Sequence, residues 1–129
     1  MKTFDIDGVI CMGNWVGVRP SPGDVIITGR SYEEADETNA FLHSNGIANQ
    51  VYYNPVKFED KSRESSGEHK AVIISRLITD GQKVLCHFED DEVQAQIIER
   101  KTGLPVVLLK HNLVNKENVR RDSNGNELT

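Results

Sequence analysis

The chain has 129 residues, of which 37% are hydrophobic and 27% charged, and it carries a net charge of -5. A chain of that length builds one domain with a core that needs no disulfide or metal staple. No apolar run approaches the roughly 20 residues that a bilayer-spanning helix requires, and the acidic balance disfavours broad, nonspecific binding to nucleic acid.

Residues 2 to 6, KTFDI, read as a short strand that delivers two acids, Asp5 and Asp7, to its end. The following VICMGNWVGV has the pattern of a small hairpin turning near Gly13-Asn14. Residues 24 to 28, DVIIT, form a second strand, and its unbroken Val/Ile run suits burial on both faces. Ser31 and Glu34 make a capping box that opens a helix. Ala35, Thr38, Phe41 and Leu42 keep helical spacing until Asn45-Gly46 stops it. Residues 48 to 53 give a third strand, and the polar stretch 54 to 67 reads as a loop. A second capping-box pattern at Ser65 and Glu68 opens a helix marked by Ala71, Ile74, Leu77 and Ile78. Residues 83 to 88, KVLCHF, are a fourth strand; a helix with Val93, Ile97 and Ile98 follows and stops at Gly103; residues 105 to 109 are a fifth strand. Residues 1 to 110 thus form a single domain, and 111 to 129 a polar C-terminal tail.

Strand and helix alternate from residue 24 onward, the pattern of an α/β fold with a parallel sheet. Ligands of such sheets sit outside the carboxyl ends of the strands. Four segments place polar groups at that edge: Asp5 and Asp7 after strand one, Thr28, Gly29 and Arg30 after strand two, Lys70 in the first turn of the helix before strand four, and Glu89, Asp90 and Asp91 after strand four. Clustered carboxylates suit a hard cation such as Mg²⁺. A carboxylate can also act as a nucleophile towards phosphorus, and a second one two residues on can serve as acid and base. A lysine, a small hydroxyl and backbone amides can hold phosphate oxygens. Individually these groups have plainer readings: Asp90 and Asp91 as helix N-caps, Arg30 as a solvated helix-start residue, Glu89 as structural, and Cys86 and His87 as core.

Taken together, DIDGVI (5 to 10), VIITGR (25 to 30), Lys70 and HFEDD (87 to 91) resemble, in order and spacing, the four motifs of the haloacid dehalogenase (HAD)-like phosphatases. The resemblance covers residues 2 to 109. It implies a three-layer, Rossmann-like parallel sheet of about five strands in the order 3-2-1-4-5. It implies a Mg²⁺-dependent phosphomonoesterase that works through an aspartyl-phosphate. Asp5 would then be the nucleophile and a metal ligand, and Asp7 the acid/base with its carbonyl on the metal. Thr28 and Gly29, with Arg30 beside them, would bind the phosphate, Lys70 would bridge it to Asp5, and Asp90 and Asp91 would complete the metal site.

Only residues 8 to 23 separate the first two motifs, which leaves no room for the usual crossover helix or for a cap domain. The resemblance implies an open site, as in members that act on large substrates such as nucleic-acid ends or phosphoproteins, and the expected substrate is a phosphorylated small molecule such as a nucleotide, or a nucleic-acid end. One sheet face should be thinly covered, with a second copy of the chain as its possible partner. Trp15 in the hairpin could stack on a base or cover that face. Two cysteines make no disulfide framework, the four histidines lack zinc spacing, and Met1 runs into the acidic motif with no room for a signal peptide; the expected location is cytoplasmic. Two other functions compete. One is a phosphate- and metal-binding module without turnover. The other is a phosphoacceptor receiver, disfavoured because its acceptor acid would end strand three, where Tyr53-Asn54 stands here.

Overall fold

A computed structural model describes residues 1–115 and 119–128. Five parallel strands run in the order β3-β2-β1-β4-β5. They are β1 (Thr3–Phe4), β2 (Val25–Ser31), β3 (Val51–Asn54), β4 (His87–Glu89) and β5 (Val106–Leu108). Three helices join them: α1 (Ala35–Ser44), α2 (Arg63–Thr79) and α3 (Glu92–Thr102). This is the expected α/β architecture and strand order, with no inserted cap domain.

Strand alternation sorts the core into two layers. Ile26 of β2 packs with Phe4, Phe41 and Leu42 on the α1 side, whereas Val25 and Ile27 meet Ile73, Ile74 and Leu77 of α2 and Ile98 of α3 on the other. The crossover from β1 to β2 has no helix. In its place a hairpin closes by an antiparallel bridge from Cys11 to Val16, turning at Gly13 (φ +84°), and buries Val9, Ile10 and Cys11 against Phe4. That hairpin supplies much of the cover a helix would have given. Phe88 of β4 is sealed from the same side by stacking on Phe4, with ring centroids 4.6 Å apart. Val107 on β5 stays 39% exposed, and Trp15 is 56% exposed.

The boundary that differs most is the start of α2. It begins at Arg63, not near Ser65-Glu68, because the capping box is Ser62 with Ser65: Ser62 Oγ accepts from the Ser65 N–H and Ser65 Oγ from the Ser62 N–H. Gly67 makes this stretch look like a loop, yet it lies inside the helix. A Cβ there would come within 3.2 Å of Gln94 Cα and Ile97 Cβ, so glycine is what lets α2 lie close against α3. Lys70 is therefore about two turns into α2, not in its first turn.

The C-terminal segment folds back onto the domain. Residues 120–128 form a small hairpin, with Asp122 N donating to Asn126 O and Leu128 N to Arg120 O, both at 2.8 Å. Gly125 (φ +88°) presses against Gly13 and Phe41, where an added Cβ would lie 2.3 Å from the Gly13 carbonyl oxygen. His111 Nε2 lies 2.7 Å from the Gly8 carbonyl oxygen.

Candidate functional site

The carboxyl ends of β1, β2 and β4 surround a small cavity of about 60 Å³, lined among others by Asp5, Arg30, Lys61, Lys70, Asp90 and Arg121. Its floor is a buried chain of polar contacts. Lys70 Nζ lies 3.0 Å from Asp5 Oδ1 and 2.7 Å from Glu89 Oε1. Glu89 Oε1 also meets His87 Nε2 at 3.2 Å, and His87 Nδ1 lies 2.7 Å from Thr3 Oγ1. The other Glu89 oxygen accepts from the backbone N–H groups of Asp90 and Asp91. Burial, then the Lys70 charge, pushes the His87 pKa down to about 3. The ring is thus neutral, donating to Glu89 from Nε2 and accepting the Thr3 hydroxyl at Nδ1.

Asp5 sits in the same buried field with opposite consequences. Burial, and then the Glu89 charge, push its carboxyl up to about 8 against the pull of Lys70. For Lys70, burial opposes the charge, but Asp5 and Glu89 outweigh it and hold the ammonium above its ordinary range. Asp5, Glu89 and Asp90 bring carboxylate oxygens within 4.8 Å of one another. Asp90 reaches this cluster across Gly8, whose φ is +83° and where a Cβ would lie 1.9 Å from Asp90 Oδ2. The glycine of the DIDG stretch therefore makes the seat for the acid of the fourth motif. All three acids offer hard oxygen donors, the type that Mg²⁺ takes. Glu89 is already committed to Lys70, His87 and two amides, so Asp5 and Asp90 fit the role of direct ligands and Glu89 that of fixed charge behind them.

The rim differs. Asp7, with its side chain 32% exposed, turns away from the acid cluster. Arg30 grips both its oxygens, Nε to Oδ2 at 2.9 Å and Nη2 to Oδ1 at 2.7 Å, while Nη1 donates to Thr38 Oγ1. Arg121 adds a third contact, Nε to Oδ1 at 3.2 Å. Burial opposes the Asp7 charge, but Arg30 and then Arg121 hold the carboxyl below its usual range. Thr28 is fully buried and its Oγ1 accepts from the Arg30 backbone N–H. Gly29 lines the cavity, and a Cβ on it would sit 2.8 Å from Ser66 Oγ; only glycine lets the first turn of α2 approach the end of β2. Lys61 Nζ, paired to Glu34 at 2.9 Å, lies 3.4 Å from the Gly29 carbonyl oxygen.

Of the sequence-derived candidates, Asp5, Lys70 and Asp90 come together on the floor, Gly29 and Arg30 reach the cavity wall, and Asp7 stands at the rim. Asp91 also lines the wall, but both its oxygens are engaged: it caps α3 through the Val93 N–H and receives Arg63 Nε at 2.9 Å, Arg63 Nη2 at 2.6 Å and Gln94 Nε2 at 3.1 Å. Sequence reasoning missed three residues. Glu89 was read as structural, yet it is the hub of the floor; strand parity would have placed it, because His87 and Glu89 share the β4 face that α2 covers. Lys61 sits in a stretch of mixed charge that gave no preference. Arg121 lies 114 residues from Asp7 in a tail without periodicity, and no local signal marks it.

Comparison of the chain with models of known protein families, with curated proteins and with solved structures finds no match in any of the three.

Proposed function

We propose that the protein is a Mg²⁺-dependent phosphomonoesterase that works through Asp5. One observation carries the reading: Asp5, at the carboxyl end of the central strand, lies 3.0 Å from a buried lysine and shares a cavity with a second acid seated across Gly8. In its ionised form Asp5 would attack phosphorus, forming an acyl-phosphate bond as the bond to the ester oxygen breaks, and the leaving oxygen would take its proton from solvent. Water would then cleave that intermediate to release phosphate and restore the carboxylate. Lys70 is fixed between Asp5 and Glu89 and can neutralise a phosphate oxygen without reorganising. The Gly29 backbone would meet another oxygen of the phosphoryl group, and Arg30, committed to Asp7 and Thr38, would fix the carboxylate beside it. Bound Mg²⁺ would supply charge to the phosphate oxygens, held by Asp5 and Asp90. Asp7, held ionised at the rim by Arg30 and Arg121, would serve as base for the second step once one of those contacts passes to the phosphoryl group.

The test is phosphate release from nucleotides, sugar phosphates and 3′-phosphorylated oligonucleotides, with Mg²⁺ and with EDTA. Release that needs Mg²⁺ and disappears in Asp5→Asn supports the reading; release that survives Asp5→Asn rejects the covalent route.

A second reading has one observation in its favour. Asp7 is held as a carboxylate by two guanidinium groups, which leaves it no proton to give a leaving group. A module that binds metal and phosphate without turnover would show this too. Binding of phosphate with no release from any ester in the panel would select it.

A further inference from the structure

The C-terminal hairpin supplies Arg121 to the wall of a site that the sequence leads one to expect uncovered, and Val119, just before the hairpin, lines it too. It is fastened from outside by Arg120, which donates to Glu37 Oε1 at 2.6 Å and to the Glu33 carbonyl at 2.7 Å, and from beneath by Gly125 against Gly13 and Phe41. Arg121 points inward and is only 4% exposed. Its Nη1 donates to the Gly125 carbonyl at 2.7 Å and its Nη2 lies 3.2 Å from Glu127, so the guanidinium plane is set by the hairpin itself. Its Nε meets Asp7 at 3.2 Å, the longest of the three contacts to that carboxylate.

Carboxylates and phosphates present oxygens to a guanidinium in the same way. Asp7 keeps its two-point grip from Arg30 if Arg121 turns to a phosphate oxygen. The cavity, at about 60 Å³, has room for a few waters or one phosphoryl group. With Val119 and Arg121 on its wall, the C-terminal segment narrows the site, which suits a compact phosphorylated group better than a polymer end.

We infer that the hairpin 120–128 is a cap built from the chain's own C-terminal segment, and that Arg121 is its specificity-determining residue, exchanging its contact to Asp7 for one to a phosphate oxygen and selecting a compact phosphorylated substrate over a phosphate on a nucleic-acid end. This rests on the phosphoesterase reading above. A pre-set guanidinium loses little freedom on binding, which is the advantage of placing it on a fastened hairpin.

The experiment uses the full chain with Mg²⁺ and measures two things: binding of inorganic phosphate by calorimetry, and kcat/KM for a sugar phosphate, a nucleoside monophosphate and a short oligonucleotide with a 3′-phosphate. Wild type should bind phosphate and favour the two small esters. Arg121→Ala should weaken phosphate binding about tenfold or more and raise KM for the small esters, as expected when a charge-assisted contact is lost. Arg121→Lys should fall between, because it keeps the charge and loses the fork. Arg120→Ala removes only the outer fastening, while the contacts to the Gly125 carbonyl and Glu127 still set the Arg121 guanidinium, so phosphate binding should stay within about twofold. Thermal melts establish that each variant is folded, and should Arg121→Ala fail to fold, Arg121→Lys and Arg120→Ala decide. The inference is overturned if Arg121 variants bind phosphate as wild type does, if Arg120→Ala is as damaging as Arg121→Ala, or if the oligonucleotide is the better substrate. A wild type that binds no phosphate and releases none overturns the phosphoesterase reading itself, and this inference with it.

Discussion

Asp5 and Asp7 are two residues apart and share a cavity, yet the molecule treats them oppositely. Asp5 belongs to a floor made by β1, β4 and α2, where burial and a neighbouring carboxylate push its pKa up to about 8. Asp7 belongs to a rim made by the end of β2 and the C-terminal hairpin, where Arg30 and Arg121 outweigh burial and keep it ionised. The floor is rigid and connected: Thr3, His87, Glu89, Lys70 and Asp5 form one line of contacts. The rim joins segments distant in sequence through ion pairs that solvent partly reaches. Burial sets the energetics of the floor, and charge pairing sets those of the rim. Two carboxylates of the same type can therefore hold different roles, one kept close to neutral and one kept charged.

The largest test of that contrast is on activity. Asp5→Asn should lower Mg²⁺-dependent phosphate release by at least about a thousandfold, since a missing nucleophile is not replaced by its neighbours. The same variant should not lower the melting temperature, because a neutral amide resembles the protonated carboxyl that burial favours. On stability, the floor should again exceed the rim. Lys70→Met leaves Asp5 and Glu89 facing each other without a cation and should cost about 3–5 kcal/mol in urea denaturation. Arg30→Met leaves Asp7 with Arg121 and partial access to water, and should cost about 1–3 kcal/mol. Equal losses for the two would erase the distinction between floor and rim.

Much of this was legible in the sequence, for a physical reason. The β2 strand is a Val/Ile run, and the other strands are short apolar stretches between polar turns and helices of apolar spacing, so the α/β order could be read directly, and parallel pairing then delivers Asp5, Gly29, Arg30 and Asp90 to one edge. What could not be read depends on side chains that act at a distance. Glu89 gains its meaning only when α2 lays Lys70 over it. Arg121 enters through a hairpin whose place is fixed by Gly125 against Gly13 and Phe41, contacts that leave no periodic trace. Arg30 looked like one more phosphate ligand, whereas its guanidinium is spent on Asp7 and Thr38.

Acidity gives a finer separation, best measured as urea midpoints from about pH 5 to pH 8.5 in EDTA. Asp5 has a folded pKa of about 8, above its unfolded value of 3.8. Between those values the folded chain holds a proton that the unfolded chain has released. The stability from this group is therefore complete below about pH 4 and lost as pH rises through 8. Asp7 has its pKa lowered, so its contribution is present above 3.8 and lost only on stronger acidification. His87, with a folded pKa of about 3 against 6.5, adds stability above 6.5 that declines as pH falls towards 3. Asp5→Asn should therefore change the slope of stability across pH 5 to 8, and Asp7→Asn should leave that slope as it is. A slope change of the same size in both variants would show that the two carboxyls share one environment after all.

The smallest expected effect lies where neither region reaches. Ser62 caps α2, the helix that carries Lys70 to the floor, and its Oγ accepts the Ser65 N–H at 3.0 Å. Ser62→Ala should cost about 1 kcal/mol, the usual loss for an N-cap. Ser65→Ala removes the reciprocal bond to the Ser62 N–H and should cost less. Glu68 sits inside α2 and pairs with Lys101 at the surface, so Glu68→Ala should change stability by no more than about 0.5 kcal/mol. The reverse ranking, with Glu68→Ala the more damaging, would restore the capping box that the sequence pattern suggests and move the start of α2 to about one turn before Lys70. With the helix starting at Arg63, all three variants should keep the wild-type pH slope, because the first turn of α2 supports the floor only by holding the helix and touches none of its charges.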